Sequence, residues 1–372
     1  MKKAIAVSVL VCLMSGPEPG SAGQVTPYGF VRFDAVFDDS RLSHHQYPNW
    51  VKSEPPGAEN NSNLTIYPRL TRVGARFAPA EVGEGSEISG VIEADFQNGG
   101  SESRQILRLR KAYFNLKKGD WHFLAGQTWD LISPLFPAAN NDGMMWNTGN
   151  LGDRHPQARL TYKPGTGFSA AVALGQTGAV DKQDLDKNGI LDGWEAAVPF
   201  LQTRVGIEHG KFKAGAWAHR GSEKTATPVA GNSSDFTSSV AGVDFSVSAA
   251  DRLTVEGEGW TGSNLSDIRG GIGQGVNTQT GEEIPSSGGW VHVLVKPGQG
   301  WKLYVGAMTD TPDEEAVPEG GRTRNQAVYV VNRYRPWKSF QAAVEYLHWT
   351  TEYKGLDDGT ANRVDLHFTW NF

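Results

Sequence analysis

The sequence predicts an all-β chain, a 16-stranded antiparallel transmembrane β-barrel with short periplasmic turns and long extracellular loops, and three observations predict it. Apolar residues recur at every second position from about residue 30 to the end, the period at which successive side chains face opposite sides of a strand. The connections between these runs are mostly short and long in turn, as in a barrel with turns at one end and loops at the other. The last run is amphipathic and stops on an aromatic residue, Phe372.

Composition removes the main competitors. The 372 residues include 45 Gly, with 38% hydrophobic and 20% charged side chains and a mean hydropathy of −0.42. Past the N-terminus no apolar run approaches the roughly 18–20 residues a membrane-spanning helix needs, so a helical membrane protein is excluded. A net charge of −6 argues against a broad nucleic-acid-binding face, and no nucleic-acid partner is expected.

Residues 1–22 read as a secretory signal peptide. Lys2 and Lys3 precede an apolar stretch from Ala4 to Met14, Pro17 and Gly20 interrupt it, and small residues suit cleavage near Ala22 or Gly23. The single cysteine, Cys12, lies inside this segment. The mature domain, residues 23–372, then has no thiol, which excludes a disulfide-stapled scaffold and a cysteine-ligated metal site.

The mature chain alternates in sixteen runs. Val31, Phe33, Ala35 and Phe37 interleave with Arg32, Asp34 and Asp38; Thr71, Val73, Ala75 and Phe77 follow; Ile88, Gly90, Ile92, Ala94 and Phe96 interleave with Glu93, Asp95 and Gln97. Leu107 and Leu109 alternate with Arg108 and Arg110, and then come Trp121–Ala125, Ala158–Tyr162, Phe168–Leu174, Val205–Ile207 and Phe212–Ala218. Ala241–Phe245, Leu253–Val255, Val291–Val295, Trp301–Val305, Val328–Val330 and Phe340–Tyr346 continue the pattern to the terminal run. There Val364, Leu366, Phe368, Trp370 and Phe372 alternate with Arg363, Asp365, His367, Thr369 and Asn371.

Short connections are rich in turn-forming residues: Pro79 to Gly85, Lys117 to Asp120, Pro164 to Gly167, Gly210, Ser248 to Arg252, Pro297 to Gly300 and Pro336 to Ser339. The long ones run from Ser40 to Asn63, Trp129 to His155, Gln176 to Gln202, Gly221 to Ser234, Gly262 to Ser287, Thr311 to Arg322 and Thr351 to Ala361. Tyr28, Trp121, Tyr162, Phe168, Trp301, Tyr346 and Trp370 fall near strand ends, where interfacial aromatic girdles sit. A soluble β-protein would also alternate, but the Arg and Glu on the second face suit a polar lumen better than a surface.

A terminal Phe closing an amphipathic strand resembles the signal read by the barrel assembly machinery. Four further stretches carry a wider resemblance: Tyr28-Gly29-Phe30-Val31-Arg32-Phe33-Asp34-Ala35, Thr71-Arg72-Val73-Gly74, Leu107-Arg108-Leu109-Arg110-Lys111-Ala112-Tyr113 and Gly126-Gln127-Thr128-Trp129. They are similar to the DcaP-like outer-membrane porins, in order over most of the chain and most densely over its first 160 residues. The resemblance implies a homotrimer in the outer membrane of a Gram-negative bacterium, in contact with membrane lipid and lipopolysaccharide, taking up small, preferably anionic solutes by passive diffusion. Family members can carry an N-terminal periplasmic helical segment; here only a few residues separate the expected cleavage site from Tyr28, so a trimer is expected to rest on barrel walls.

A pore of this type needs a charged constriction. Strand parity puts Arg32, Arg72, Arg76, Arg108 and Arg110 on the lumenal face, where a basic wall lowers the entry barrier for anions. Residues 129–155 have the order and length of a loop that folds into the barrel, and Asp130, Asp142 and Asp153 are then expected to face the arginines. The bland alternative is that the arginines pair with Asp34, Glu93 and Asp95 inside the wall.

The extracellular loop 176–202 carries a second motif. Asp184, Asp186, Asn188, Gly189, Asp192 and Glu195 match D-x-[DN]-x-[DN]-G-x5-E, with the carbonyl of Ile190 at position 7, which predicts a structural Ca2+. The alternative there is a solvated acidic loop. No G-x-S-x-G, H-E-x-x-H, P-loop or Rossmann pattern occurs, so no catalytic residue is assigned, and His44 and His45 read as a surface segment. A diffusion channel is the function expected; an exported soluble Ca2+-dependent sugar-binding β-protein and an outer-membrane barrel enzyme are the alternatives.

Overall fold

The computed structural model describes residues 24–372 apart from 45–46, 58–60, 98–105 and 140–142; the expected signal peptide, His45 and Asp142 lie outside the described residues. Strand β1 is Val25–Asp38, and β2 comes in two pieces, Asn63–Tyr67 and Arg72–Gly83. Both pieces pair antiparallel with β1, so they form one stave broken at Pro68. Strands β3 (Ser86–Asp95), β4 (Arg108–Lys118), β5 (Trp121–Trp129), β6 (Arg154–Tyr162), β7 (Phe168–Gly175) and β8 (Phe200–His209) follow. Then come β9 (Phe212–Val229), β10 (Ser233–Ala250), β11 (Leu253–Ser263), β12 (Pro285–Val295), β13 (Trp301–Pro312), β14 (Arg322–Trp337), β15 (Phe340–Tyr353) and β16 (Gly359–Asn371). Each pairs antiparallel with the next, and β16 returns to β1 with Phe30 opposite Asn371 and Asp38 opposite Arg363. The closed 16-stranded barrel leaves no sheet edge, the condition for a sheet to cross hydrocarbon with every backbone group paired.

Polarity is inverted relative to a soluble sheet protein. On β1, Val31, Phe33 and Phe37 are 43–47% exposed, whereas Arg32, Asp34 and Asp38 are at most 8% exposed. The same holds around the barrel: Ile92, Leu109, Val205, Val243, Val305 and Val364 point out, and Glu93, Asp95, Asp244, Glu258, Asp310 and Glu345 are buried inside. The apolar faces thus form an outer belt, and the soluble sugar-binding alternative falls on that observation.

The C-terminal strand is tied in by its last residue. Phe372 and Gly29 exchange backbone hydrogen bonds of 3.1 and 3.2 Å. A Cβ at Gly29 would sit 2.3 Å from the carbonyl of Arg72 and 2.8 Å from the Phe372 ring, so only glycine lets that ring close over β1. Aromatic pairs mark the short-turn end, with Trp121 against Tyr162 at 4.8 Å and Trp301 stacked on Tyr334 at 4.2 Å.

Three expectations need correction. Tyr28 is not part of the girdle: its hydroxyl donates to Glu93 inside the barrel, because even-numbered residues of β1 face the lumen. A bulge at Arg110, between the pairs Lys111–Glu93 and Leu109–Ala94, resets the parity of β4 and turns both Arg110 and Lys111 inward. The long loop expected from Gly221 to Ser234 is a three-residue turn, because β9 and β10, of 18 residues each, continue as a paired hairpin well past the length that spans a membrane.

Candidate functional site

The segment between β5 and β6 lies inside the barrel. Its two roots are clamped together: Asp130 N–H donates to the Asp153 carbonyl at 3.0 Å, Asp153 N–H donates to the Asp130 carboxylate at 3.0 Å, and His155 Nδ1 lies 3.0 Å from the same carboxylate. From there the loop is pinned to the far wall. Leu135 N–H and the Ser133 hydroxyl donate to Glu258 on β11, the former at 2.7 Å. Trp260 Nε1 donates to the Gly149 carbonyl at 2.8 Å. Asn325 Nδ2 on β14 donates to the carbonyl of Asn147 at 2.6 Å and to Thr148 Oγ1 at 3.0 Å. Gly149, at φ +123°, passes so close to Gly289 that a Cβ would lie 2.4 Å from its carbonyl oxygen. Ala138, Ala139 and Met145 complete the contact, packed with Trp290, Tyr304, Met308, Tyr329, Leu347 and Trp349. A dry core therefore exists within the barrel, built between the loop and one half of its wall, and the remaining space lies against the other half and the short-turn end of β14.

That other half is basic, though not in the simplest way. Arg32 Nε donates to Asp34 at 2.8 Å; Arg108 Nε and Nη2 each donate to Asp95 at 3.0 Å; Arg110 bridges Glu93 at 2.9 Å and Asp95 at 2.6 Å; Arg72 lies 3.6 Å from Glu93. The carboxylates are the inner layer. Glu93 and Asp95 side chains are 3% and 0% exposed, while Arg72, Arg108 and Lys111 retain 24–29% exposure. Around these two carboxylates stand four cations, Arg72, Arg108, Arg110 and Lys111, so the cluster has an excess of two positive charges and shows its cationic layer to the pore. Such buried acids fix the guanidinium groups in place and remove the entropy of a flexible side chain from the interaction with a passing ion. Arg76 stands apart, exposed toward the short-turn end with its guanidinium 3.8 Å from the Tyr28 ring centre.

The narrow space between loop and wall, about 410 Å³, is lined on the wall side by Arg32, Arg72, Arg110, Arg333 and Arg335 and on the loop side by Trp129, Phe136, Pro137, Ala139 and Met144. Arg333 and Arg335 were missed by sequence reasoning, although their parity on β14, opposite the outward Val328 and Val330, carries the signal. The expected transverse field from loop aspartates is not formed by Asp130 or Asp153. Both are buried at the loop roots, where Asp153 pairs with Arg269 at 2.9 Å and Arg154 at 3.2 Å. Burial raises the Asp153 pKa, but these two guanidinium groups outweigh it and hold the carboxyl well below the usual range. Among the described residues, no carboxylate lines the loop side of this space.

In the loop 176–202, three acidic side chains of the motif come together. Carboxylate oxygens of Asp184, Asp186 and Asp192 lie within 4.8 Å of one another. Asn188 and Gly189 N–H groups donate to Asp184 at 3.1 and 3.0 Å, and Asn188 Nδ2 donates to Glu195 Oε1 at 3.1 Å. Asp192 opens a one-turn helix, α1 (Asp192–Glu195); burial and the neighbouring Asp184 and Asp186 push its pKa up to about 6. Glu195 Oε2 is buried without a hydrogen-bond partner. Three convergent carboxylates and the unused Glu195 Oε2 supply oxygen donors of the kind a hard divalent cation takes, while Asn188 turns its Nδ2 rather than its Oδ1 toward Asp186 and Glu195. Ile190 is half exposed and its N–H bonds Asn188 Oδ1 at 2.7 Å.

No protein-family model matches the chain, and no characterised protein matches it in sequence. Solved structures do match. The outer-membrane channel DcaP of Acinetobacter baumannii superimposes with a TM-score of 0.79 at 19% identity, over 96% of this chain and 99% of that one. The OmpF structure of Salmonella typhi, solved with daunomycin, matches with a TM-score of 0.64 at 12% identity, over 94% and 98% of the two chains. An anion-selective porin from Comamonas acidovorans matches with a TM-score of 0.62 at 11% identity, over 94% and 99%. The described structure, closed, antiparallel and threaded by its own loop, has the fold of the outer-membrane porins.

Proposed function

We propose that this chain is an outer-membrane diffusion channel that admits small hydrophilic solutes and prefers anions. One observation carries the reading: between the barrel wall, apolar on its outside, and an inward-folded loop lies a cavity whose described polar lining includes five arginines and no carboxylate. Fixed cations in a narrow, low-dielectric space lower the electrostatic barrier for anions and raise it for cations. The purified protein is expected to be membrane-bound, to change mobility on boiling, and to give ohmic conductance in planar bilayers with an anion-preferring reversal potential in asymmetric KCl. A cation-preferring potential, or no conductance from a correctly folded barrel, would refute it. A homotrimer, assembly through Phe372 and contact with lipopolysaccharide belong to the same reading; the trimer is supported by the similarity to an OmpT of Vibrio cholerae described in trimer form, matched with a TM-score of 0.61 at 15% identity.

The loop site adds a second element. Asp184, Asp186, Asn188, the Ile190 carbonyl, Asp192 and Glu195 would hold Ca2+ and stiffen the loop at the outer mouth, and the unused Glu195 Oε2 supports this. Equilibrium dialysis at pH 7.5 is expected to give one Ca2+ per chain, half-saturated on the order of 0.1–1 mM as in extracellular modules. Asp184→Asn with Asp186→Asn is expected to abolish that uptake, and equal uptake by both proteins would remove the claim.

A further inference from the structure

We propose that the outer wall over β6 to β9 holds a phosphorylated glycolipid of the outer leaflet, with an acyl chain in an apolar groove and a phosphate at Arg220 and Lys224; this rests on the outer-membrane reading and goes beyond it. The groove, of about 640 Å³, lies on the lipid-facing side of the barrel. Cross-strand register accounts for it. Leu160, Val172, Thr203 and Ala218 stand in one outward row, and Tyr162, Ala170, Val205 and Ala216 stand in the next row toward the short-turn end. The alanines leave a trough beside the larger Leu160, Tyr162 and Val205, and a hydrocarbon chain laid in it gains dispersion contacts on its flanks as well as beneath.

Arg220 stands in the row above the groove, opposite Leu201 and Ser239. It is the ninth residue of β9 counted from Phe212, and a tilted strand crosses the hydrocarbon in about 9–11 residues, so Arg220 sits where the acyl region ends. Parity fixes its direction. Arg220 and Lys224 are exposed, whereas His219 and Glu223 between them are buried inside the barrel. Among the described residues neither cation forms an ion pair. Ser222, Thr237 and Ser239 share the outward face of this hairpin and set hydroxyl groups around the two cations, and Asp235, across from Lys224, is the one carboxylate among the described outward residues there. Groove, cations and hydroxyls follow one another from the lipid belt outward, in the order acyl chain, phosphate, sugar. A simple phospholipid would leave the hydroxyl-rich zone unused, and a molecule without acyl chains would leave the groove unused.

The test uses the full-length mature protein, purified in detergent free of endogenous lipopolysaccharide and titrated with diphosphoryl lipid A, with lipid A stripped of both phosphates, or with phosphatidylglycerol. Native mass spectrometry counts the bound lipid. The wild type is expected to retain one diphosphoryl lipid A per chain, more tightly than either of the other lipids. Arg220→Gln with Lys224→Gln should weaken that retention about tenfold or more, since each cation beside an anionic lipid surface contributes about fivefold. Lys52→Gln, at an exposed cation of the first loop, should leave it unchanged. Ala216→Phe with Ala218→Phe fills the groove and should weaken retention with both charges in place. All four positions face away from the lumen, so an unchanged boiling shift and unchanged conductance show that the variants are folded. Retention unchanged in either pair overturns the inference, as does a wild type that takes phosphatidylglycerol equally well. A groove-filled variant that falls apart into monomers while keeping its lipid also overturns it, because the face then belongs to a second copy of the chain. A wild type that retains lipid A and conducts nothing supports this site and removes the channel reading, so the two failures are told apart.

Discussion

Replacing Arg72, Arg108 and Arg110 together by Gln is expected to convert the channel from anion- to cation-preferring. The three side chains stand over Glu93 and Asp95, and with Lys111 they outnumber those carboxylates four to two. After the change Lys111 alone faces two carboxylates, and the local balance moves from an excess of two positive charges to an excess of one negative. A unit charge about 4 Å from a permeating ion is worth about 1 kcal/mol even at the dielectric of water, and more in a confined space. Three charges removed should lower the anion-to-cation permeability ratio by at least about tenfold. Reversal potentials at 0.1 M and 1 M KCl check this; the difference should shrink at the higher salt, where the Debye length falls from about 10 to about 3 Å. An unaltered ratio at low salt would show that the pore field is set elsewhere. The same substitutions leave Glu93 and Asp95 buried without their main partners, so a lower boiling-shift temperature is expected alongside, since breaking one side of a buried ion pair costs about 3–5 kcal/mol.

The barrel was legible because its rule is local: a residue's parity assigns its face, and no partner need be known. Where the rule fails, the cause is equally local. Nothing in the string Leu109-Arg110-Lys111-Ala112 marks the bulge at Arg110, since two adjacent cations read equally well as one inward and one outward residue. At Tyr28 the girdle reading went against parity: proximity to a strand end suggested the girdle, but the even position faces Glu93. The partners of charged residues were not legible at all. Asp130 and Asp153 look like lumenal acids in sequence, yet they hold the loop roots through His155 and Arg269, the latter 116 positions away from Asp153. The non-periodic loop carries no face information, so the apolar surface that its described residues turn to the lumen could not be read from spacing.

Asn325→Leu is expected to free that loop, with an effect on both stability and conductance. The side chain is fully buried on β14 and serves two loops at once. Its Nδ2 donates to the carbonyl of Asn49 in the first loop at 2.8 Å, to the carbonyl of Asn147 at 2.6 Å and to Thr148 Oγ1 at 3.0 Å. Its Oδ1 accepts from Trp349 Nε1 at 2.7 Å and Thr351 Oγ1 at 2.8 Å, and Thr351 Oγ1 in turn accepts from Val51 N–H at 2.9 Å. Leucine matches asparagine roughly in volume but leaves two carbonyls, an indole N–H and two hydroxyls without this partner. At about 1–3 kcal/mol for each buried group left unsatisfied, with part recovered by water, a net loss of about 3–5 kcal/mol follows. The variant should lose its folded mobility at a lower temperature, and its single-channel current should become larger and noisier as the loop leaves the wall. Asn325→Asp keeps the acceptor and removes the donor, so it should release the loops while still holding Trp349 and Thr351, which separates loop anchoring from wall packing. Wild-type conductance in both variants would mean that Glu258 and Trp260 hold the loop unaided.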